Sequence, residues 1–171
     1  MGAVTFLEDR VGFGPGVSAS VNRRLQMAVE ARTRDRFEAE RLLWEARAED
    51  PACLPVYFAL YKFYANGRKL EAAERAALLA LAEAARQAGC SSDLNALSRE
   101  PARWNLYGSE AGLFYLFSLK ALCFIKLRRG LIEEATELLN HLARLDPDDR
   151  SGGSVIRSLA ESMAETADVD D

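Results

Sequence analysis

The stretch that decides the fold runs from Leu54 to Gln87 and reads LPVYFALYKFYANGRKLEAAERAALLALAEAARQ. Its first part is crowded with aromatic and aliphatic residues, its second part is rich in Ala and Leu, and Asn66-Gly67-Arg68 separates them. Asn and Gly are typical of turns, whereas Ala, Leu and Glu are strong helix formers. The stretch therefore predicts two helices, at about residues 55–65 and 70–87, joined by a short turn.

Helices joined by short turns are also predicted on both sides of this stretch. Ser18 or Ser20, Asp35 and Ser109 can cap helix N-termini, because their side-chain oxygens accept hydrogen bonds from backbone N–H groups of the first turn. The further predicted helices cover about residues 18–32, 36–49, 110–129, 131–145 and 153–165. Since no long stretch alternates apolar and polar residues as a strand would, the predicted fold class is all-α.

Three segments lie outside the helical pattern. Residues 1–17 contain several Gly residues and Pro15, which predicts a flexible or extended N-terminal segment. Residues 88–109 are a long insertion, with one short helix near residues 93–97. Residues 167–171 are an acidic tail.

Composition excludes several classes of function. The 171 residues carry a net charge of −4, whereas a general nucleic-acid binder needs a basic surface. The apolar run from Ala111 to Ile125 is interrupted by Lys120 and is shorter than the roughly 20 residues of a membrane span. Cys53, Cys90 and Cys123 form no Cys-x-x-Cys pair, which argues against a disulfide framework or zinc site. We therefore expect a cytoplasmic protein that binds neither nucleic acid nor membrane and has no cofactor.

Small residues recur in the second helix of each predicted pair, and large ones in the first helix. The small residues and closing prolines are Ala39, Ala46 and Pro51; Ala73 and Ala80; and Ala135 and Pro147. The large residues and one cysteine of the first helices are Tyr57, Leu60, Tyr61 and Tyr64, then Leu119, Leu122 and Cys123. This pattern resembles the tetratricopeptide repeat, a helix pair of about 34 residues. Arg23 and Gln26 depart from it, because apolar residues are usual there, and so does Leu142, where a small residue is usual.

The resemblance implies one domain, residues 18–166, built as a right-handed α-α superhelix. Its repeats would be about residues 20–53, 54–87 and 116–149, with the insertion before the last and a C-terminal capping helix at about 153–165. In such folds the first helices line a concave groove that binds a peptide or a partner's helix. The resemblance thus implies a protein–protein interaction module, either an adaptor or a small bacterial-type accessory chaperone.

The groove positions that the resemblance implies carry both basic and aromatic residues. They are Arg24, Phe58, Lys62, Asn66, Phe117, Lys120, Phe124 and Arg128. Basic groups beside aromatic rings suit an acidic or amphipathic partner. The alternative is that the charged residues are ordinary solvated side chains and the Phe residues belong to the core.

Two further segments allow two interpretations each. The helix at about 110–128 is apolar on nearly every side, so it is either buried at the centre of the fold or exposes Phe114 and Phe117 as a homodimer interface. In the insertion, Trp104 and Tyr107 either form an interface or pack against the start of this helix.

The sequence gives little indication of catalysis. His141 is the only histidine, it lies inside a predicted helix, and no Cys or Ser is near it in sequence. No cluster of residues has the spacing of a metal site. We therefore expect no catalytic site, and an enzyme or cofactor carrier is a minor alternative.

Overall fold

A computed structural model of the protein describes residues 16–169. The residues of the predicted N-terminal segment before Gly16, and the last two of the predicted acidic tail, lie outside this range. The described residues contain helices and turns and no strand, which confirms the all-α fold class. The nine α-helices of residues 16–169 are α1 (Ala19–Ala31), α2 (Arg36–Glu49), α3 (Leu54–Asn66), α4 (Leu70–Ala88), α5 (Leu94–Arg99), α6 (Pro101–Trp104), α7 (Glu110–Arg128), α8 (Ile132–Leu145) and α9 (Gly153–Val169).

Side-chain caps fix the starts of three helices, as the sequence predicts. Ser18, Asp35 and Ser109 precede α1, α2 and α7, and each accepts a hydrogen bond from the N–H three residues later, at 3.2, 3.1 and 3.0 Å. Gly130 ends α7 in a left-handed conformation (φ +78°) that a side chain would disfavour.

The helices pack mainly on their neighbours in the chain, and α7 lies at the centre. It contacts α3, α4, α8 and α9, and also a single 3₁₀ turn at Leu106–Gly108. Leu116, Leu119 and Ile125 of α7 are almost completely buried. The helix is apolar on nearly every side because it has neighbours on nearly every side.

Close helix packing depends on the small residues singled out above. Ala39 and Ala46 of α2, Ala73 and Ala80 of α4, and Ala135 of α8 are all fully buried. A methyl group at these positions lets the backbone of one helix approach the larger side chains of the next. This explains why α3 and α4, which pair bulky residues with alanines, make one of the most extensive contacts of the fold.

The first helix uses a different face from the one that the repeat pattern assigns. Arg23 is exposed and Gln26 half-buried, whereas Val21, Leu25 and Ala28 are buried against α2. Their spacing of four and three residues places them on one side of a helix. The apolar side of α1 is therefore complete, but its residues lie one or two positions away from those that the repeat pattern expects.

The insertion at 88–109 is a folded part of the core rather than a long connection. It contains the expected short helix, here α5, together with α6 and the 3₁₀ turn. Leu97 and Leu106 are buried. A Cβ at Gly112 would lie 2.1 Å from the Leu106 carbonyl oxygen, so the start of α7 packs directly on the turn. Ser98 and His141 are also buried, and 2.6 Å separates the Ser98 Oγ from the His141 Nδ1, which joins α5 to α8.

A cluster of ion pairs joins α4, α7 and α8. Glu74 lies 2.8 Å from the Lys126 ammonium and also pairs with Arg129, and Lys126 lies 2.6 Å from Glu134. Burial raises the pKa of Glu74, but the hydrogen bonds and charges of Lys126 and Arg129 outweigh it, and the net pKa is lowered. The pairs are therefore mutually stabilising and hold the three helices in register.

A buried carboxylate closes the turn between α8 and α9. Asp146 accepts hydrogen bonds from the N–H of Arg150 (2.9 Å), from the N–H and hydroxyl of Ser151 (2.8 and 2.6 Å) and from the Tyr107 hydroxyl. Burial alone would raise the pKa of Asp146, but these donors lower it overall. The Asp146 carboxylate thus connects the insertion to the turn between α8 and α9.

Replacing Asp146 with Asn is expected to destabilise the fold by about 1–3 kcal/mol at neutral pH, because the amide removes the charge and directs an NH₂ group at donors. The lowered pKa makes the carboxylate's contribution complete above its unfolded pKa of about 3.9 and lost as the pH falls below it. In urea unfolding, the gap between wild type and variant should shrink from about pH 5 to about pH 2. The matched control is Asp148→Asn, at an exposed carboxylate two residues later, which should change stability by under ~0.5 kcal/mol. A gap that does not depend on pH would contradict this account.

Candidate partner-binding face

Three cations lie over three phenylalanine rings on neighbouring helices. On α3, the Lys62 ammonium is 5.3 Å from the centre of the Phe58 ring. On α7, Lys120 lies 5.4 Å from the Phe117 ring and Arg128 lies 5.9 Å from the Phe124 ring. In each pair the cation follows its ring by three or four residues, so one helical turn brings them together. We call these six residues, with Asn66, the basic–aromatic face.

The geometry of α7 places its members of the face in one line. Phe117, Phe124 and Arg128 are separated by seven and four residues, which keeps them on one side of the helix. Arg128 then joins the two helices directly, since its Nη1 donates a hydrogen bond of 3.1 Å to the Ala65 carbonyl at the end of α3. The face therefore spans two helices that are far apart in sequence.

Phe117 and Phe124 are the exposed aromatic residues of a helix that is largely buried. Phe117 is 42% exposed and Phe124 38% exposed. Both are among the few large apolar side chains left at the surface of the described residues. A partly exposed ring with a cation over it offers an apolar surface and a hydrogen-bond donor at the same place.

The two lysines of the face are held under electrostatic stress. Burial lowers the pKa of Lys62, and repulsion from Lys120 lowers it further. Burial also lowers the pKa of Lys120, although Asp149 and Asp146 oppose the effect. Each ammonium therefore costs the folded state free energy, and an added carboxylate near them would recover part of that cost.

Several cations elsewhere on the protein are paired with carboxylates. Arg41 pairs with Glu38 and Glu45, and Lys126 pairs with Glu74 and Glu134. Among the described residues, by contrast, no carboxylate forms an ion pair with Lys120 or with Arg128 on the basic–aromatic face. The positive charges of Lys120 and Arg128 are thus available to a ligand.

One of the predicted groove residues occupies other surroundings. Arg24 forms ion pairs with Glu45 (3.0 Å) and Glu49 (2.7 Å), which attach α1 to α2. Asn66 is exposed as the last residue of α3. The structure therefore brings together the predicted residues of α3 and α7, while the side chain of Arg24 is engaged by α2.

The residues predicted as a possible interface, Trp104, Tyr107 and Phe114, all pack against the core. Tyr107 donates its hydroxyl to Asp146, accepts a hydrogen bond from the Asp148 N–H at 3.1 Å, and carries Arg150 over its ring at 4.1 Å. Trp104 and Phe114 are half-buried against the core. Sequence reasoning did not find Asp146 as the partner of Tyr107, because thirty-nine residues separate them and only the folded turn brings them together.

The described residues contain no cluster of metal ligands, and their three cysteine thiols are not activated. No group of three or more His, Cys, Asp or Glu side chains in this part of the chain could hold a metal ion. Burial raises the pKa of Cys53 and Cys90 and raises that of Cys123 to about 12, which keeps these thiols protonated near neutral pH. No helix in the described range has the length and apolarity to span a bilayer.

Comparison with known proteins gives no relative. No protein family matches the chain, and no curated protein and no solved structure matches it either. The residues of the basic–aromatic face are therefore the best indication of function.

Lys120 of the basic–aromatic face and Lys126 of the ion-pair cluster both lie on α7, so the stability effects of replacing them can be compared directly. Replacing Lys120 with Met should leave stability unchanged or raise it by up to about 1 kcal/mol, because a charge that burial disfavours is removed. Replacing Lys126 with Met should lower stability by about 1–3 kcal/mol, since it removes ion pairs to Glu74 and Glu134. Urea unfolding of both variants measures the contrast. A loss for Lys120→Met equal to that for Lys126→Met would show that Lys120 is a structural residue.

Proposed function

We propose that this protein is a protein–protein interaction module that binds an acidic, amphipathic segment of a partner on the basic–aromatic face. The observation that carries the proposal is the set of three cation-over-ring pairs on α3 and α7. An adaptor or a small accessory chaperone would use such a face, and no reaction is required.

The chemistry of the ligand follows from the chemistry of the face. Carboxylates of the ligand would accept hydrogen bonds from the ammonium and guanidinium groups, and these bonds are stronger than neutral ones because both partners are charged. Apolar side chains of the ligand would cover Phe117 and Phe124, which removes apolar area from water at about 25 cal/mol per Å². An extended strand or a short helix with acidic and apolar residues close together meets both conditions.

The finer architecture is part of the same proposal. A right-handed tetratricopeptide-like superhelix would place α1, α3 and α7 on the concave side as the first helices of successive pairs. Two observations support it: outside the insertion each helix packs on the next, and the alanines at the small positions of the repeat are fully buried. We also infer a cytoplasmic location, which agrees with Cys53, Cys90 and Cys123 being free thiols.

A charge-reversed bait tests the proposed function. The variant with both Lys62→Glu and Lys120→Glu should lose, by at least about tenfold in affinity, the partner that wild type retains, because attraction becomes repulsion (a tenfold change is about 1.4 kcal/mol). Proteins captured from a cell lysate are identified by mass spectrometry, and the affinity of each is then measured by calorimetry with the purified partner. Circular dichroism should show that the variant remains folded.

The matched control reverses two exposed cations elsewhere, Arg23→Glu with Arg144→Glu, so the change in net charge is the same. This control should bind the partner as wild type does. A partner that binds all three proteins equally would show that the face is not its binding site.

A second function, homodimerisation through α7, is favoured by one observation. Phe117 and Phe124 expose apolar surface on the same side of a helix. Two copies could cover it, but the cations over both rings would then face each other and repel. Light scattering after size exclusion would contradict this alternative by giving the mass of one chain at every concentration.

A further inference from the structure

We propose that the N-terminal segment, residues 1–15, binds the basic–aromatic face of its own chain and competes there with the partner. This inference rests on the proposed function, because it assigns an internal ligand to the same face. Its support comes from three features: the composition of the segment, the charge of the face, and the length of chain that precedes Gly16.

The segment has the composition that the face requires. Phe6 and Leu7 are followed directly by Glu8 and Asp9, and Phe13 follows four residues later. Apolar and acidic groups are thus adjacent, as they must be to cover partly exposed rings while reaching the cations over them. No aromatic residue accompanies the acids of the C-terminal tail, so the tail supplies charge without the apolar cover.

The charge of the segment is also complementary to the charge of the face. Glu8 and Asp9 outnumber Arg10, so the segment has a net negative charge in its side chains. Lys120 and Arg128 of the face form no ion pair with any described carboxylate. The positive charges of Lys62 and Lys120 also repel each other. A pair of adjacent carboxylates would relieve this repulsion.

The chain is long enough to reach. Fifteen residues in extended conformation span at most about 50 Å, whereas α7 with its 19 residues is about 28 Å long. The segment leads through the exposed Gly16 into α1. Since α1 packs on α2 and α2 packs on α3, α1 is linked to the face through one helix. An attached ligand acts at an effective concentration in the millimolar range, so even weak binding in isolation would occupy the face.

Carbodiimide crosslinking of the full-length chain tests the inference, because it joins a carboxylate to an amine only where the two are in contact. The lysines of the chain are Lys62, Lys69, Lys120 and Lys126. We expect crosslinks from Glu8 or Asp9 to Lys62 or Lys120, identified by mass spectrometry of the digest. A mixture of unlabelled and ¹⁵N-labelled chains should show these crosslinks within one isotope population only.

Two internal controls are present in the same sample. Lys126 lies 2.8 Å from Glu74 and 2.6 Å from Glu134, so these crosslinks must form if the chemistry works. Lys69 is exposed and lies outside the face, so crosslinks from Glu8 or Asp9 to it should be at least about tenfold weaker. Replacing Phe6 and Phe13 with Ser keeps the acids but removes the apolar contacts, and should reduce crosslinking to Lys120 at least about threefold.

The inference is overturned if Glu8 and Asp9 form no crosslink to the face while the Lys126 controls do, if they react equally with Lys69, or if the crosslinks join two isotope populations. It is also overturned if crosslinking to Lys120 is unchanged in the Phe6→Ser, Phe13→Ser variant. If these crosslinks fail but partner capture still depends on Lys62 and Lys120, the proposed function stands and only the internal ligand is wrong.

Discussion

The constraint on which the rest of the structure depends is the burial of α7. This helix carries large apolar residues on almost every side, and each that leaves water contributes roughly 1.5–3 kcal/mol. It must therefore be surrounded, and α3, α4, α8, α9 and the 3₁₀ turn of the insertion do this. The ion pairs of Glu74, Lys126 and Arg129 then fix the rotation of α7 relative to α4 and α8. The positions of these neighbouring helices follow from the need to cover it.

One strip of α7 is left uncovered, and the candidate site lies there. Phe117 and Phe124 stay partly exposed, and Lys120 and Arg128 lie over their rings. A fold optimised only for stability would place apolar side chains against these rings and leave the cations fully in water. Burial lowers the pKa of Lys120, so keeping this residue charged costs stability. We attribute the charge to a ligand that supplies carboxylates and apolar cover.

Much of the fold could be predicted from local sequence signals. The starts of α1, α2 and α7 follow from Ser18, Asp35 and Ser109, and the turn after α7 follows from Gly130, because capping and left-handed backbone are short-range effects. The face of α1 that packs on α2 was readable from Val21, Leu25 and Ala28, but the repeat pattern pointed to neighbouring positions instead. The repeat pattern therefore predicted the helix but not which of its faces packs on α2.

What the sequence could not give were contacts across long separations. Tyr107 and Asp146, and Ser98 and His141, meet only because the insertion folds back on α8. The sequence around a single polar residue does not indicate which distant residue it will contact. The candidate site divides in the same way. Its α3 and α7 residues were predicted as one set because the resemblance to a helical repeat assigns them to the first helices of successive pairs. The ion pairs of Arg24 with Glu45 and Glu49 depend on how α1 and α2 pack, and were not predicted.

Site-specific photo-crosslinking in cells tests the central claim most directly, since it reports what touches the rings of α7. A benzophenone amino acid is placed at Phe124, on the basic–aromatic face, or at Phe37, the most exposed large apolar residue of the described chain and a member of α2. The account predicts a crosslinked partner polypeptide at position 124 and none at position 37. Partner crosslinks at position 37 with none at position 124 would contradict it, as would adducts at position 124 that contain only a second copy of this chain.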